Sequence, residues 1–195
     1  MKQILCCLRD MHNMHICHRD LKPDNILMDN DFNVKICDFG SAKVIDDGDE
    51  TNISRIVARC YRPPEIALAS SDYTSAIDMW TVGCILYELL TLQTAFEPQS
   101  DGYIFFEQCQ LLGIPNEKER IILFEHCKDD LKKQLNDYCE NAKVEKISIY
   151  SILPAYYNAK ERTAGAKLVD GLLCWSPRDR MTADACLKSD MLNGV

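Results

Sequence analysis

Residues 76–92 are apolar almost all round, from Ala76 and Ile77 to Leu89 and Leu90. A helix with one apolar stripe can lie on a surface, but a helix apolar on most sides has to be wrapped by other elements. This segment therefore demands a helical body large enough to enclose it. The chain has 195 residues, 47% hydrophobic and 27% charged, a size and balance suited to one domain with a sizeable core. The elements for that body are written nearby. Ile4, Leu5, Leu8 and Met11 recur at helical spacing over residues 1–15, so the chain starts inside a helix. Ser100 is placed to cap a helix running through Ile104, Phe105, Cys109 and Leu112, with Gly113 ending it and Pro115 beyond. Leu168, Val169, Leu172 and Leu173 predict another helix, and Thr182 the start of the last one. Extended structure is confined to two short runs, Ile26 to Met28 and Val34 to Cys37. The turn formers Asp29, Asn30 and Asp31 lie between them and favour a small hairpin. Residues 40–60 read as a long polar loop and 117–160 as mixed helix and loop. The expected fold is mainly α: a helical bundle with a small β-hairpin.

The formal charge is −8, which disfavours nucleic acid and anionic membrane as partners. No apolar run is long enough to span a bilayer, and no secretory leader is evident. The eleven cysteines are odd in number and lack the paired spacing of a zinc site, so free thiols in a reducing cytoplasm or nucleus are expected.

The chemistry is concentrated in HRDLKPDN, His18 to Asn25, followed by Asp38-Phe39-Gly40 and then Arg62-Pro63-Pro64-Glu65. Moving a phosphoryl group from ATP to a hydroxyl needs magnesium to neutralise phosphate charge and a carboxylate to orient the hydroxyl. Asp20 and Asn25 supply a carboxylate and a metal ligand from one loop, and Asp38 supplies a second metal ligand from another. The hairpin between them brings the two loops to one edge. Lys22 adds a mobile positive charge that can follow the transferring phosphate.

These motifs, in this order and spacing, resemble the eukaryotic serine/threonine protein kinases over residues 1 to about 192, most weakly across 117–160. The resemblance implies a kinase C-terminal lobe, with protein substrates, ATP and Mg2+. It makes Asp20 the catalytic aspartate, Lys22 the phosphate-contacting lysine, Asn25 and Asp38 the magnesium ligands, and Leu27 the floor under the adenine. It stacks His18 with Phe39 and pairs Glu65 with Arg180 of SPRDR. It has Asp78, in IDMWTVGC, hold the catalytic-loop backbone. Lys22 is the serine/threonine form of the loop. CDFGSAK (Cys37 to Lys43) and SDYTSAIDMWTVGCILYELL (Ser71 to Leu90) are similar to the glycogen synthase kinases. Tyr61-Arg62 and LLGIPNEKE (Leu111 to Glu119) fit the wider group that includes mitogen-activated and cyclin-dependent kinases. Arg19 and Lys43 match two of the three basic residues with which glycogen synthase kinases bind a phosphate already on the substrate.

The same resemblance marks departures. Only 17 residues precede His18, whereas five strands and a helix need roughly 80 or more. No glycine occurs before Gly40, and Lys2 is the sole upstream lysine. The β-rich N-terminal lobe, with its glycine-rich loop and lysine–glutamate pair, is therefore expected to be absent from residues 1–195. Ala58 stands where the family has threonine or serine. Arg55 replaces the phosphorylated tyrosine of glycogen synthase kinases, leaving Thr51 and Ser54 as nearby hydroxyls, and Pro63 replaces the alanine before Pro64-Glu65. Two readings follow. Either the chain is part of an active kinase that needs a missing lobe, or it is a truncated, non-catalytic relative that binds substrates or a scaffold protein.

Overall fold

The computed structural model describes residues 1–45, 57–70 and 73–194. Arg55, Thr51, Ser54 and Ser71 lie outside the described residues. In chain order the elements are α1 (Lys2–Asn13), β1 (Ile16–Cys17), β2 (Ile26–Met28), β3 (Val34–Ile36), β4 (Lys43–Val44), α2 (Pro64–Ala67), α3 (Ala76–Thr91), α4 (Ile104–Leu112), α5 (Glu117–Leu123), α6 (Asp129–Asn141), α7 (Ile149–Ile152), α8 (Ala159–Leu172), α9 (Ala183–Leu187) and α10 (Asp190–Asn193). The fold is mainly α. Its sheet structure, among the described residues, is two antiparallel pairs, β2–β3 and β1–β4. The first is the expected hairpin, with Leu27 opposite Lys35. Its turn is closed by Asp29, whose carboxylate accepts from the amides of Asp31 and Asn33. The second pair, Ile16 opposite Val44 and Cys17 opposite Lys43, falls partly in the stretch expected to be loop. Two-residue strands carry too little periodicity to stand out in a sequence.

Helix α3 is the axis of the body. Ile77 through Tyr87 are buried without a break, and Leu90 beyond them is buried too. Trp80 is fully enclosed and stacks on Phe96 at 5.6 Å between ring centroids. Gly83 is where α3 meets α8: a Cβ there would sit 2.9 Å from Leu172 Cβ and 2.8 Å from Leu173 Cδ2, so any side chain would push the helices apart. A second aromatic group joins α4 to the later helices, with Phe105 5.4 Å from Trp175 and 5.6 Å from Phe124.

The helix ends differ in part from expectation. Ser100 makes no side-chain cap. A short 3-10 turn over Asp101–Tyr103 intervenes, and α4 begins at Ile104. Gly113 does end α4 at φ 76°, where a Cβ would meet the Lys146 backbone nitrogen at 2.8 Å. Thr182 caps α9 through Ala185 N at 3.2 Å, but α10 follows, so that helix is not the last. Capping boxes on Asn116 and Asn158 start α5 and α8, in and just before which the sequence carried little pattern. No helix among the described residues is long and apolar enough to cross a membrane. Cys17, Cys84, Cys109, Cys139 and Cys186 are buried and the other six cysteines half-buried, all as free thiols.

Candidate active site

The loop 18–25 is held from behind by one carboxylate. Asp78, on the first turn of α3, is 1% exposed. Its Oδ2 accepts from His18 N at 2.8 Å and Cys17 Sγ at 3.2 Å, and lies 3.0 Å from His12 Nε2. Its Oδ1 accepts from Arg19 N at 2.9 Å. Burial pushes this carboxyl up, but the His12 hydrogen bond and charge and the two backbone donors outweigh burial and hold it below the ordinary carboxylate range. The same burial and the neighbouring carboxylate drive the Cys17 thiol well up. Asp78 also fixes a costly backbone. Arg19 sits at φ 67°, a left-handed conformation that persists in a non-glycine residue only where its surroundings over-determine it.

In front of that anchor the loop and the hairpin are sewn together. His18, fully buried, places Nε2 3.1 Å from Cys37 O, while Asp20 N points to Nδ1 at 3.4 Å. This pattern suits the tautomer with its proton on Nε2. Cys37 N donates to Asn25 O at 2.9 Å. Asn25, 6% exposed, gives its Nδ2 to Asp20 O at 2.8 Å and approaches Asp20 Oδ2 at 3.4 Å. Lys22 Nζ reaches Asp20 Oδ2 at 2.8 Å. That hydrogen bond, with the charges of Asp20, Asp24 and Asp38, raises the lysine's affinity for its proton. Asp38 is exposed in a left-handed conformation at φ 61°, and its Oδ1 accepts from Gly40 N at 3.2 Å. A carboxylate, an ammonium, an amide and a second carboxylate thus share one edge.

The donor set fits magnesium of the kind that keeps most of its ligands from water and phosphate. Asn25 Nδ2 is committed to Asp20, and no described group donates to its Oδ1, so that oxygen and the Asp38 carboxylate are available to a hard cation. Leu27, 55% exposed, and Phe39, 51% exposed, lie at the hairpin and beside the loop, with the Phe39 ring edge-on to His18 at 5.3 Å.

The remaining residues singled out in the sequence fall around this edge. Arg19 Nε donates to Ser41 O at 2.6 Å and Nη1 to Tyr73 Oη at 2.9 Å, so two of its donors are engaged within the fold. Lys43 stands opposite Cys17 on the β1–β4 pair, two residues from Arg19. Ala58 has no hydroxyl to offer the Asp20–Lys22 pair, although it lines the same 470 Å3 cleft as Asp20, Lys22, Arg59, Arg62 and Asp101. Arg62 turns its Nε and Nη2 onto Val57 O at 3.1 and 3.0 Å. Pro63 is buried and precedes α2. Glu65 and Arg180, 4% and 5% exposed, form a two-pronged pair at 2.8 and 3.1 Å. Arg180 also donates to Ala76 O and Cys174 O and lies 5.1 Å over the Trp80 ring.

Two contributors went unnoticed in the sequence. His12, which braces Asp78, continues the buried stripe of Leu5 and Leu8 one turn on. A polar residue in an apolar stripe was the signal for it. Gln3 clamps the hairpin to α1, donating to Phe32 O at 2.9 Å and accepting from Val34 N at 2.8 Å. Nothing local marks a glutamine for a partner some thirty residues away.

Comparison with known proteins agrees with this geometry. The model of the protein kinase domain family matches residues 1–192. Mitogen-activated protein kinase 6 of Arabidopsis thaliana is 35% identical over 193 residues, which cover 99% of this chain and 46% of that protein. The chain thus spans about half the length of the curated relative it matches. With nearly every residue covered by the family model, this chain belongs to the protein kinase domain family.

Proposed function

We propose that residues 1–195 are the C-terminal lobe of a serine/threonine protein kinase, part of one kinase domain, of the glycogen synthase kinase type. The observation that carries this reading is the shared edge: Lys22 on Asp20, Asn25 tied to Asp20, and Cys37, next to Asp38, tied to Asn25. Asp20 orients the substrate hydroxyl and takes up its proton as the bond to phosphorus forms. Lys22, held at Asp20 in this structure, is free to swing onto the transferring phosphate oxygens. Asn25 and Asp38 are the magnesium ligands, and the bound ion supplies neutralisation of phosphate charge. Leu27 is the floor for adenine. The Asp78 and Glu65–Arg180 contacts keep these groups in place before substrate arrives, which is where most of the acceleration of such a reaction originates.

Arg19 and Lys43 form part of a pocket for a phosphate already present on the protein substrate, with two Arg19 donors exchanging Ser41 and Tyr73 for phosphate oxygens. The exposed Leu27, Met28 and Phe39 are covered in the working enzyme by an N-terminal lobe or a scaffold protein. Free cysteines throughout suit the cytoplasm or nucleus.

A phosphorylation assay on the purified chain, with Asp20→Asn as control, tests the assignment. Without a loop over the ATP phosphates, transfer should be slow. A shortfall of about 4 kcal/mol in positioning is roughly a thousandfold in rate. Adding a separately expressed N-terminal kinase lobe should raise ATP- and magnesium-dependent transfer to protein serine or threonine, and Asp20→Asn should abolish it. Transfer that never appears would favour the non-catalytic binding role.

A further inference from the structure

On the far side of Asp78 from the active-site edge, a cavity of about 300 Å3 opens between the end of α1, the start of α3 and the segment 177–184. Arg9, His12, Thr74, Ser75, Arg178 and Asp184 are among its lining residues. We propose that this cavity binds a small phosphate-type oxyanion, and that its occupancy is transmitted to the catalytic loop through His12 and Asp78.

The lining is rich in donors. Arg178 is exposed, and no described carboxylate pairs with it. It is the cation left for an incoming anion. Arg9 is held by Asp10 at 2.8 Å with the pair largely in solvent, an arrangement worth little and easily exchanged. Asp184 is the one described carboxylate in the lining, and its charge acts on Arg9, while Arg180, also in the wall, is committed to Glu65. The hydroxyls point the same way. Thr74 Oγ1 accepts from Ala76 N and Thr182 Oγ1 from Ala185 N, so each retains its own proton to donate. Ser75 makes no side-chain cap and is uncommitted. Two guanidiniums and three hydroxyls offer more donors than a carboxylate can use, and a tetrahedral oxyanion can accept them from several directions.

His12 gives the site its second property. Its ring lines the cavity and also touches Asp78 through Nε2 at 3.0 Å, leaving Nδ1 without a described partner. Asp78 in turn holds His18 N and Arg19 N. An anion seated beside the imidazole reorients the ring, and with it the Nε2 contact to Asp78. The backbone of the catalytic loop is bonded to that same carboxylate.

The experiment is an NMR titration of the 195-residue chain with inorganic phosphate, at fixed pH and ionic strength with chloride as the replaced ion. Saturable shifts are expected at the His12 ring and at the His18 and Arg19 amides, with a millimolar midpoint. Arg178→Ala should weaken binding about tenfold while leaving the melting temperature unchanged. His12→Gln keeps a donor for Asp78 and removes the ring that lines the cavity. In it phosphate should still bind, but the His18 and Arg19 amides should stop responding. No saturable shift into the tens of millimolar, or shifts that survive Arg178→Ala undiminished, would overturn the site. A catalytic loop that still responds in His12→Gln would overturn the route.

Discussion

The back and the front of the loop 18–25 are built on opposite plans. Behind it, Asp78 is buried with four partners, and nearby Glu65 and Arg180 are buried against each other with further carbonyl acceptors. In front, Asp38 lies exposed with one internal hydrogen bond, and Leu27, Met28 and Phe39 turn more than half of their surface to solvent. The contrast separates residues that hold the fold from residues available to something outside it. A buried charge is tolerable only when fully paired, whereas a group meant to meet a ligand must keep its lone pairs unspent.

That contrast can be broken most forcefully at the back. Arg180→Ala strands the Glu65 carboxylate in the interior and should cost about 3–5 kcal/mol, read as a lowered urea midpoint or melting temperature. An unchanged melting curve would remove Glu65–Arg180 from the list of holding contacts. Asp78→Asn keeps the shape but loses one acceptor oxygen, leaving a backbone donor unmet at about 1–3 kcal/mol. Amide hydrogen exchange should then quicken at His18 and Arg19, and exchange unchanged there would mean the loop is held by its other contacts.

The titration of Asp78 sharpens the same point. Its carboxyl sits below the ordinary value in the fold, so the unfolded chain takes up the proton first as pH falls. Its contribution is fully present above the ordinary carboxylate pKa of about 4 and is lost as pH drops through the lower folded value. Denaturation curves collected down through that range should show a decline that is shallower in Asp78→Asn. An identical decline would assign acid sensitivity to other carboxylates.

The smallest stability effects belong to the front. Asp38→Asn should leave stability within about 0.5 kcal/mol of the parent while weakening Mn2+ binding, measured by relaxation of solvent water protons. A large loss of stability there would make Asp38 a structural residue. Leu27→Ser with Phe39→Ser should likewise spare the fold and reduce binding of a hydrophobic dye, and undiminished dye binding would place the sticky surface elsewhere.

Much of the fold is legible one segment at a time. The unbroken apolar run 76–92 dictates a buried central helix, the spacing of Ile4, Leu5, Leu8 and Met11 a first helix with one buried face, and Asp29 to Asp31 a hairpin turn. These signals are local, because helix periodicity and turn chemistry act over a few residues. Strand β4, helix α5 and the start of α8 were less legible, since their evidence is two residues long or rests on a reciprocal side-chain geometry.

The candidate site divides in the same way. Asp20, Lys22, Asn25 and Asp38 are named by short motifs, because one loop and one hairpin place them within twenty residues of each other. Asp78, Glu65 and Arg180 also lie in motifs, but His12 and Gln3 answer to none, and the partners of Arg19 were not legible. His12 meets Asp78 across 66 residues, Gln3 reaches Val34 across 31, and Arg19 spends donors on Ser41 and Tyr73. Residue types and local periodicity, carried by the sequence, determined which side chains are candidates for chemistry and which segments are helical. Which carboxylate is buried, which cation is already engaged and which apolar side chains are left uncovered were decided only by the tertiary structure. Burial and hydrogen-bond partnership depend on packing between segments far apart in the chain, and no local pattern encodes them.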